Sequence, residues 1–509
     1  MKRFLKRHKD GIVGILSGLD RIVFNAAPGF LRYGQAVEKF LVVNHIRFAD
    51  YAKWFEAITG QLREHARVVA QREGRPLVHV SSPSASKEDL VRHIMERDGI
   101  QQGLICVLTC VEIGYTYRCR AKAKQGKPGL VSEPVPCQHL YFYYRDRDFG
   151  VMHLRIQTWV PFRIQVCLNG HDWLARQLDG AAIGYEKSDN CFVQIDDVAR
   201  AQEIFDHLLA LNWQQLLSAW ASRVFPWMAP DSPHNFGRYR WCVRQSECAT
   251  DVMFRSAADL AGLYPRLIHH ATTQLQSSDV LHFVGRHNRR GDIHSRTRKI
   301  FDGLCVRHTV EENSVKMYNK APNLLRVETT INQPKRFVVW RPVTRHGEAR
   351  MGWAAMRKGV MDLRRRARAS RAANQRYLNA LAVVGESCPS HRVLDPVSQP
   401  VVVEDRRYRA LHPISREDGE RLAVLQQGHF TIRGFRNKDL APIWLDSTGL
   451  TRRQLSARVS RYLRLLKAHG LIYRLRASHR YQLTIQGRQV IRTALVLRNA
   501  DADKLKEAA

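Results

Sequence analysis

The chain has 509 residues, of which 44% are hydrophobic and 25% charged, and its formal net charge is +34 at pH 7. This length exceeds one ordinary core and predicts several domains, and the composition excludes wholesale disorder. So large a positive excess indicates a polyanionic partner, and nucleic acid is the commonest large one. A membrane surface is the rival polyanion, but no stretch approaches the roughly 20 apolar residues that a membrane span needs.

The ten cysteines are scattered without a C-x-x-C pair, which predicts reduced thiols in a cytoplasmic protein. An apolar run from Gly11 to Leu19 follows a basic start, as in a signal peptide. It fails as one because Asp10 and Asp20 bracket it and no small-residue cleavage site follows.

Residues 1–100 are predicted to form a mainly helical N-terminal region. Apolar residues between Gln35 and Glu73 recur at irregular helical spacing. Serines then precede a helix from Lys87 to Arg97 whose first turn is acidic, as the helix dipole prefers. The run from Ile12 to Phe24 fits either a strand or a helix.

Residues 101–345 are predicted to form a central α+β domain in which neighbouring strands are antiparallel, because apolar runs of strand length replace the helical spacing. The predicted strands are 104–111, 139–144, 151–159, 162–168, 191–195, 306–310, 314–320, 324–331 and 337–342. The predicted helices are 172–178, 198–224 and a broken helical stretch from 249 to 285, and 286–299 is predicted to be a polar loop.

A strongly basic helix is predicted from Arg357 to Leu381, within a segment that we bound at 346–384. Its arginines surround most of the helix and would repel one another, so an anionic partner is the economical explanation. The alternative is a solvated face beside acidic protein surface. The arginines expected to bind nucleic acid are Arg364, Arg365, Arg366, Arg368 and Arg371. Proline and serine then accumulate, which places the main linker at 385–430.

The last segment, 431–509, has the pattern helix, turn, basic helix, basic hairpin and helix. The predicted elements are helix 437–445, turn 446–449, a helix that Thr451 and Gln454 begin as a capping box and Gly470 ends, strands 471–475 and 480–484, and helix 488–497. This order resembles the winged helix-turn-helix of MarR-like bacterial regulators.

That resemblance implies that the basic helix enters the DNA major groove while the hairpin lies along the backbone. The residues expected to face bases are Arg452, Arg453, Ser456 and Arg458, with Arg461 on the same basic side of the helix. The residues expected to face phosphates are Arg476, His479 and Arg480. The alternatives are an amphipathic helix whose arginines are merely solvated, and a winged helix used for protein contacts.

A predicted hairpin at 315–331 suggests strand cleavage. With its turn at 321–323, Tyr318 lies opposite Arg326 and Lys316 opposite Glu328 on one face. A tyrosine hydroxyl can attack a phosphodiester, arginine can hold the developing charge, and glutamate can bind a divalent ion, Mg²⁺ or Mn²⁺. The catalytic candidates are Tyr318, Arg326, Lys316 and Lys320.

The order tyrosine, asparagine, lysine, then arginine, x, glutamate in residues 315–331 also resembles rolling-circle replication initiators of plasmids and filamentous phages. The resemblance implies a DNA-nicking enzyme. The usual metal-binding pair of histidines separated by one apolar residue is missing, so His139 and His153 on adjacent strands are the expected ligands beside Glu328. The alternatives are a structural Lys316–Glu328 ion pair, and a platform on which Tyr318 stacks against a base.

Acidic residues in so basic a chain are further metal-ligand candidates, although no spacing joins them: Glu112, Asp196, Asp197, Glu247 and Asp251. The sequence thus favours a DNA-docking protein of a mobile element or replication system, with a candidate tyrosine-dependent nicking site in the central domain that would use a divalent metal ion if it is catalytic. The alternatives are a non-catalytic MarR-like transcriptional regulator and a structured-RNA-binding protein. We expect no membrane partner, and a homodimer stays open.

Overall fold

The computed structural model describes residues 1–82, 86–121, 128–228, 236–285, 292–300, 303–345, 348–382, 384, 390–427, 430, 434–444, 451–475 and 478–500. The fold is α+β, as the sequence predicts. The chain divides into two compact units. Unit 1 comprises Met1–Ile268, Phe283–Gly285 and Ser295–Ala382, and unit 2 comprises His269–His282, Arg286–His294 and Val383–Ala509.

This division differs from the predicted domains. The N-terminal region shares unit 1 with the predicted central domain and with the basic helix. Residues 385–430, predicted as a linker, count with unit 2. Leu394, Val397, Leu411 and Leu422 within that stretch are buried in the same core as the C-terminal helices, which explains why it is folded.

The first half of the chain alternates helices with long strands. Its elements are α1 (Lys2–His8), β1 (Ile12–Ala26), α2 (Gly34–Val43), α3 (Tyr51–Arg72), β2 (Leu77–Val80), α4 (Lys87–Arg97), β3 (Gly103–Ala121), β4 (Pro128–Asp146), β5 (Gly150–Gln157), β6 (Ile164–Asn169), α5 (Gly170–Gly180), β7 (Tyr185–Ser188), β8 (Cys191–Ile195), α6 (Val198–His207) and α7 (Trp213–Val224). Ser86 caps α4 as expected, because its side chain accepts from the Asp89 amide.

The elements that follow complete the sheet and lead into unit 2. They are β9 (Cys242–Phe254), α8 (Ala257–Thr273), α9 (Ser277–Phe283), β10 (Ile293–Ile300), β11 (Gly303–Val310), β12 (Asn313–Ala321), β13 (Leu324–Ile331), β14 (Val338–Arg345), β15 (Glu348–Ala355) and α10 (Leu363–Leu381).

One sheet of eleven strands organises the described part of unit 1, in the order β10-β11-β12-β13-β9-β1-β6-β5-β4-β3-β2. Neighbours from β11 to β3 run antiparallel, and β2 joins β3 in parallel. Strand β9 lies between β13 and β1, so residues far apart in sequence become neighbours at the middle of the sheet.

Three sequence predictions in this region were wrong. Residues 249–254, predicted to be helical, belong to strand β9, whose second half is continuously buried and therefore lacks the alternation that marks a strand. The described part of the predicted loop 286–299 contains strand β10. The basic helix begins only at Leu363, because a short 3-10 turn, Val360–Asp362, precedes it and residues 357–359 are not helical.

Unit 2 contains the predicted C-terminal pattern. Its elements beyond α9 are α11 (Ser390–Leu394), β16 (Val401–Val403), β17 (Arg406–Tyr408), α12 (Arg416–Val424), α13 (Asn437–Trp444), α14 (Arg452–Ala468), β18 (Ile472–Arg474), β19 (Tyr481–Leu483) and α15 (Ile485–Arg498). Thr451 and Gln454 form the expected capping box at the start of α14. Gly470 follows α14 with a φ of +71°, the left-handed conformation that ends helices. The predicted turn 446–449 lies outside the described residues.

Within the described ranges, no helix is long and apolar enough to cross a membrane.

Candidate functional site

A groove of about 800 Å³ in unit 2 is lined by arginines and aromatic side chains. Hairpin β16–β17, helix α12 and helix α14 form its walls. The lining arginines are Arg406, Arg407, Arg409, Arg421, Arg458, Arg461 and Arg464, and Glu417 is the one acidic residue among the lining residues that the structure describes. The groove therefore carries a large excess of positive charge.

Buried contacts hold the floor of this groove in place. The Tyr462 hydroxyl donates to Asp418 Oδ1 at 3.0 Å, and Arg409 reaches both oxygens of that carboxylate at 2.9 and 3.0 Å. Burial opposes ionisation of Asp418, yet Arg409 and the other donors hold its pKa below the usual range. Trp444 packs edge-on against Tyr462, and the Arg421 guanidinium lies 5.1 Å from the centre of the Tyr462 ring.

The walls are different, because their arginines are exposed and form no ion pair with a carboxylate that the structure describes. Among the described residues, no carboxylate lies within ion-pair distance of the wall arginines Arg406, Arg407, Arg458, Arg461 and Arg464. All five are exposed. Helix α14 presents its three at a spacing of three residues, so they project from one side of the helix.

The residues of the C-terminal segment that are predicted to contact DNA differ in their exposure. Arg453, Ser456, Arg458 and Arg461 are exposed on α14, and His479 is exposed on the hairpin β18–β19. Arg480 is half-buried and donates to the Gly434 carbonyl, so it is tied to the body of the unit. The Arg452 side chain and residue Arg476 lie outside the described part of the structure.

The basic helix α10 requires a correction. Arg366 is fully buried and donates to the carbonyls of Val243 and Ile331, and burial lowers its pKa to about 10. It cannot reach a phosphate.

Two further arginines of α10 are engaged within the chain. Arg365 pairs with Asp362 at 2.8 Å, and Arg371 pairs with Asp206 and donates to the Ser17 carbonyl. Only Arg364 and Arg368, of the five predicted binders, are exposed on the described helix. The predicted anionic partner is therefore replaced, for three of these arginines, by the protein itself.

A second candidate site lies at the middle of the sheet in unit 1, where β1, β9 and β13 are adjacent. Carboxylate oxygens of Asp20, Glu247 and Glu328 all lie within 4.8 Å of one another. Burial first, and then the neighbouring Glu328 carboxylate, raise the pKa of Glu247. Three carboxylates so close together repel one another unless a cation lies among them.

Arg326 is part of this region but not of an accessible site. Its side chain is 0% exposed and makes two bonds to Asp251, at 2.6 and 2.7 Å, and one to Asp20 at 3.3 Å. His171 completes the network, because its Nδ1 donates to Asp20 at 2.9 Å. The catalytic role predicted for Arg326 was wrong: the guanidinium neutralises two buried carboxylates and cannot contact substrate.

The same network shifts the pKa values of its members. Burial opposes the charged form of each group, but Arg326 and His171 hold the pKa of Asp20 and of Asp251 below the usual range. For His171, the hydrogen bonds to both carboxylates outweigh burial and raise its pKa.

The predicted register of the hairpin β12–β13 is confirmed: Tyr318 lies opposite Arg326, and Lys316 opposite Glu328. The Tyr318 hydroxyl donates to Glu328 Oε2 at 3.0 Å, and Lys316 Nζ lies 2.8 Å from Glu328 Oε1. Burial and the Glu328 carboxylate raise the pKa of Tyr318 well above its usual value, so the phenol is protonated at neutral pH. Lys320 pairs with Asp189 instead of pointing to the same carboxylate.

Comparisons with protein-family models, with curated proteins and with solved structures found no match.

The acidic centre, formed by Asp20, Glu247 and Glu328, offers oxygen ligands of the kind that Mg²⁺ and Mn²⁺ prefer. Thr330, on the same face as Glu328 and directly opposite Glu247, is 5% exposed, and its Oγ1 has no hydrogen-bond partner in the described chain. Against these features, Asp20 already accepts bonds from Asn169, His171 and Asn190. Among the described residues, Glu328 accepts one bond, from Tyr318, and pairs with Lys316, while Glu247 accepts one bond, from Gln245. Both have fewer described partners than Asp20 and are therefore the better ligands.

The predicted ligands His139 and His153 do not join this centre. They lie on β4 and β5, and β9, β1 and β6 separate β5 from β13. Four strand spacings amount to roughly 19 Å. Burial holds both imidazoles neutral, lowering the pKa of His139 to about 4 and of His153 to about 3. The predicted grouping of His139 and His153 with Glu328 was therefore wrong.

The sequence alone does not bring Asp20 and Glu247 to Glu328, because the three residues lie on different strands, β1, β9 and β13. The sequence predicts Glu247 only as one acidic candidate among several, because no spacing joins these residues. The signal that could have joined them is the buried strand β9, part of which (249–254) is predicted to be helical.

Proposed function

We propose that this protein binds nucleic acid, and specifically duplex DNA, through the arginine-lined groove and helix α14 of unit 2. The observation that carries the proposal is the set of exposed wall arginines, on one side of α14 and on hairpin β16–β17, for which the described part of the chain supplies no carboxylate partner. Guanidinium groups bind phosphate oxygens in a bidentate manner, and unpaired guanidinium groups at one surface repel one another until an anion binds.

The order of elements in unit 2 supports DNA as the partner. Helix α13, helix α14 and the hairpin β18–β19 follow one another as in a winged helix-turn-helix, in which the second helix enters the major groove. Arg453 and Arg458 on the exposed side of α14 would reach base edges, and Arg461 and Arg464 would hold phosphates. The MarR-like resemblance thus stays a proposal for the binding mode.

The test uses the full chain with charge reversal on the groove wall. The triple variant R458E/R461E/R464E should lose binding to a labelled DNA duplex, measured by fluorescence anisotropy. The matched control R47E/R67E/R97E changes charge by the same amount at exposed positions of unit 1 and should keep its affinity. Equal loss in both triples would show that net charge alone binds, and tighter binding to a folded RNA than to duplex would overturn the choice of DNA.

A second function, DNA nicking, is favoured by one specific observation, the hydrogen bond from the Tyr318 hydroxyl to Glu328 beside Glu247. Glu328 can take the phenol proton while the phenol oxygen attacks phosphorus. The bond to the leaving sugar oxygen then breaks, and Lys316 can donate a proton to that oxygen. Glu247 and Glu328 would hold a divalent ion, which polarises the phosphate when bound.

Nicking is tested by trapping the covalent product. Wild-type protein incubated with single-stranded DNA and Mn²⁺ should give an adduct that denaturing gels resolve, and Tyr318→Phe should give none. Tyr264→Phe is the matched control, since Tyr264 is also buried and donates to a backbone carbonyl. An adduct that survives Tyr318→Phe, or no adduct from the wild type, would leave DNA binding as the function and end the nicking proposal.

A further inference from the structure

A two-stranded ribbon in unit 1 exposes a stripe of apolar side chains. In the antiparallel pair β14–β15, Trp340 lies opposite Trp353 and Pro342 opposite Met351, so all four project from one face. Val338 lies on the same face. The two indole rings pack against each other with centroids 5.6 Å apart and planes at 65°. Trp340 is 50% and Trp353 68% exposed, a large aromatic area for a protein to leave in water.

Positive charge flanks the ribbon along the chain. The exposed cations next to it include Lys335, Arg357, Lys358 and Arg364. Within the described chain, none of these four forms an ion pair with a carboxylate. The Arg365 Nε donates to the Trp340 carbonyl at 3.1 Å, which holds the first turn of α10 beside the ribbon. The surroundings of the stripe are thus complementary to a polyanion that also carries flat apolar groups.

We propose that the stripe defined by Trp340 and Trp353 binds single-stranded nucleic acid, with bases stacked on the indole rings and phosphates directed to the neighbouring cations. Every base has a π face, so stacking on tryptophan retains unpaired bases without reading their sequence. The bases of a duplex are stacked on one another and cannot do the same. The inference rests on the proposed function, because it assigns a second surface of a nucleic-acid-binding protein to the unpaired form.

The composition of the stripe and the charge next to it favour single-stranded nucleic acid over a protein partner. A docking site for an ordinary protein partner needs apolar area, which leucine supplies as well as tryptophan does. The flanking cations, and two adjacent aromatic rings rather than aliphatic side chains, match the combination of stacking platform and basic surface that single-strand binders use.

The experiment compares leucine and phenylalanine at each position in the full chain. Trp340→Leu and Trp353→Leu keep apolar bulk but remove the aromatic ring, and each should weaken binding of labelled oligothymidine by roughly 5- to 150-fold. Trp340→Phe and Trp353→Phe should stay within a few-fold of wild type. Binding to a labelled duplex should be unchanged in all four. Tyr115→Leu is the matched control, because Tyr115 is 54% exposed on strand β3, away from the ribbon along the chain.

Each outcome decides one question. Leucine variants that bind oligothymidine as tightly as wild type would overturn the inference while duplex binding, and with it the proposed function, still stands. Loss of both ligands in the leucine variants would also overturn it, because the stripe would then lack preference for the unpaired form. A third outcome is a wild-type dimer that stays intact in the leucine variants but becomes a monomer in Trp353→Ala. This result would assign the stripe to a second copy of the chain. Wild-type protein that binds neither ligand would reject the proposed function itself.

Discussion

Replacing Arg326 with leucine should strongly lower the unfolding free energy of unit 1, and this effect should appear in the absence of any substrate. The substitution removes the two short bonds to Asp251 and the 3.3 Å contact to Asp20, while both carboxylates stay buried. Removing one partner of a buried ion pair costs about 3–5 kcal/mol of unfolding free energy. Because Arg326 serves two carboxylates, we expect a loss near the upper end of this range.

The assay is urea denaturation of the full chain, with hydrogen exchange measured on peptides from β9 and β13 to locate the loss. Lys316→Leu is the comparison on the neighbouring strand, since the Lys316 side chain is 17% exposed and pairs with one carboxylate, so its loss should cost less than that of the fully buried Arg326. Adding Asp251→Asn to Arg326→Leu should recover part of the stability, because one uncompensated charge is removed.

A loss below about 1 kcal/mol for Arg326→Leu would refute the structural role. An unchanged stability together with lost DNA cleavage would restore the catalytic interpretation that burial excludes.

Three further predictions concern acid stability, the buried arginine of α10 and the start of α14. Burial lowers the pKa values of His139, His153 and His308 to about 4, 3 and 4, below the 6.5 of an unfolded histidine. The stability that these neutral histidines contribute to the fold is therefore complete above pH 6.5 and is lost as pH falls toward 4. His139→Gln should shift the acid-unfolding midpoint to lower pH, and an unshifted midpoint would contradict this. Arg366→Leu should lower the midpoint of urea denaturation and leave DNA affinity unchanged, whereas Arg364→Leu should leave that midpoint unchanged. A fall in DNA affinity for Arg366→Leu alone would show that Arg366 contacts the ligand. Thr451→Ala should cost about 1 kcal/mol through loss of the capping box and weaken DNA binding by the same helix, as circular dichroism and anisotropy would show. Thr484 caps α15 instead, so Thr484→Ala should spare DNA affinity.

Local patterns in the sequence were sufficient to predict many elements. The capping box at Thr451, the helix from Lys87 to Arg97 and the register of Tyr318 against Arg326 all depend on neighbours within a few residues or across one tight turn. In these cases the pattern and the fold are fixed by the same short-range geometry.

The errors have the opposite cause, since they depend on contacts between distant segments. The burial of Arg326 follows from the placement of β9 between β13 and β1, which joins Asp251 and Asp20 to a residue far away in the chain. Charge density could not separate the buried Arg366 from the exposed Arg364, because only the helix face packed on the sheet distinguishes them. The sequence does not predict the basic groove, because the arginines of β17 lie in the segment 385–430, whose proline and serine content predicts a linker.

The salt dependence of DNA binding tests the central claim most directly, because it counts the phosphates that the groove neutralises. The affinity of the full chain for a DNA duplex is measured from 50 to 200 mM salt for wild type, for R458A/R461A/R464A and for the control R47A/R67A/R97A. Each lost phosphate contact lowers the slope of log K against log salt by about 0.9. Arg461 and Arg464 are the two proposed phosphate contacts of the triple, so the groove triple should lose about 1.8 and the control none. An unchanged slope in the groove triple would contradict the assignment of this groove as the nucleic-acid site.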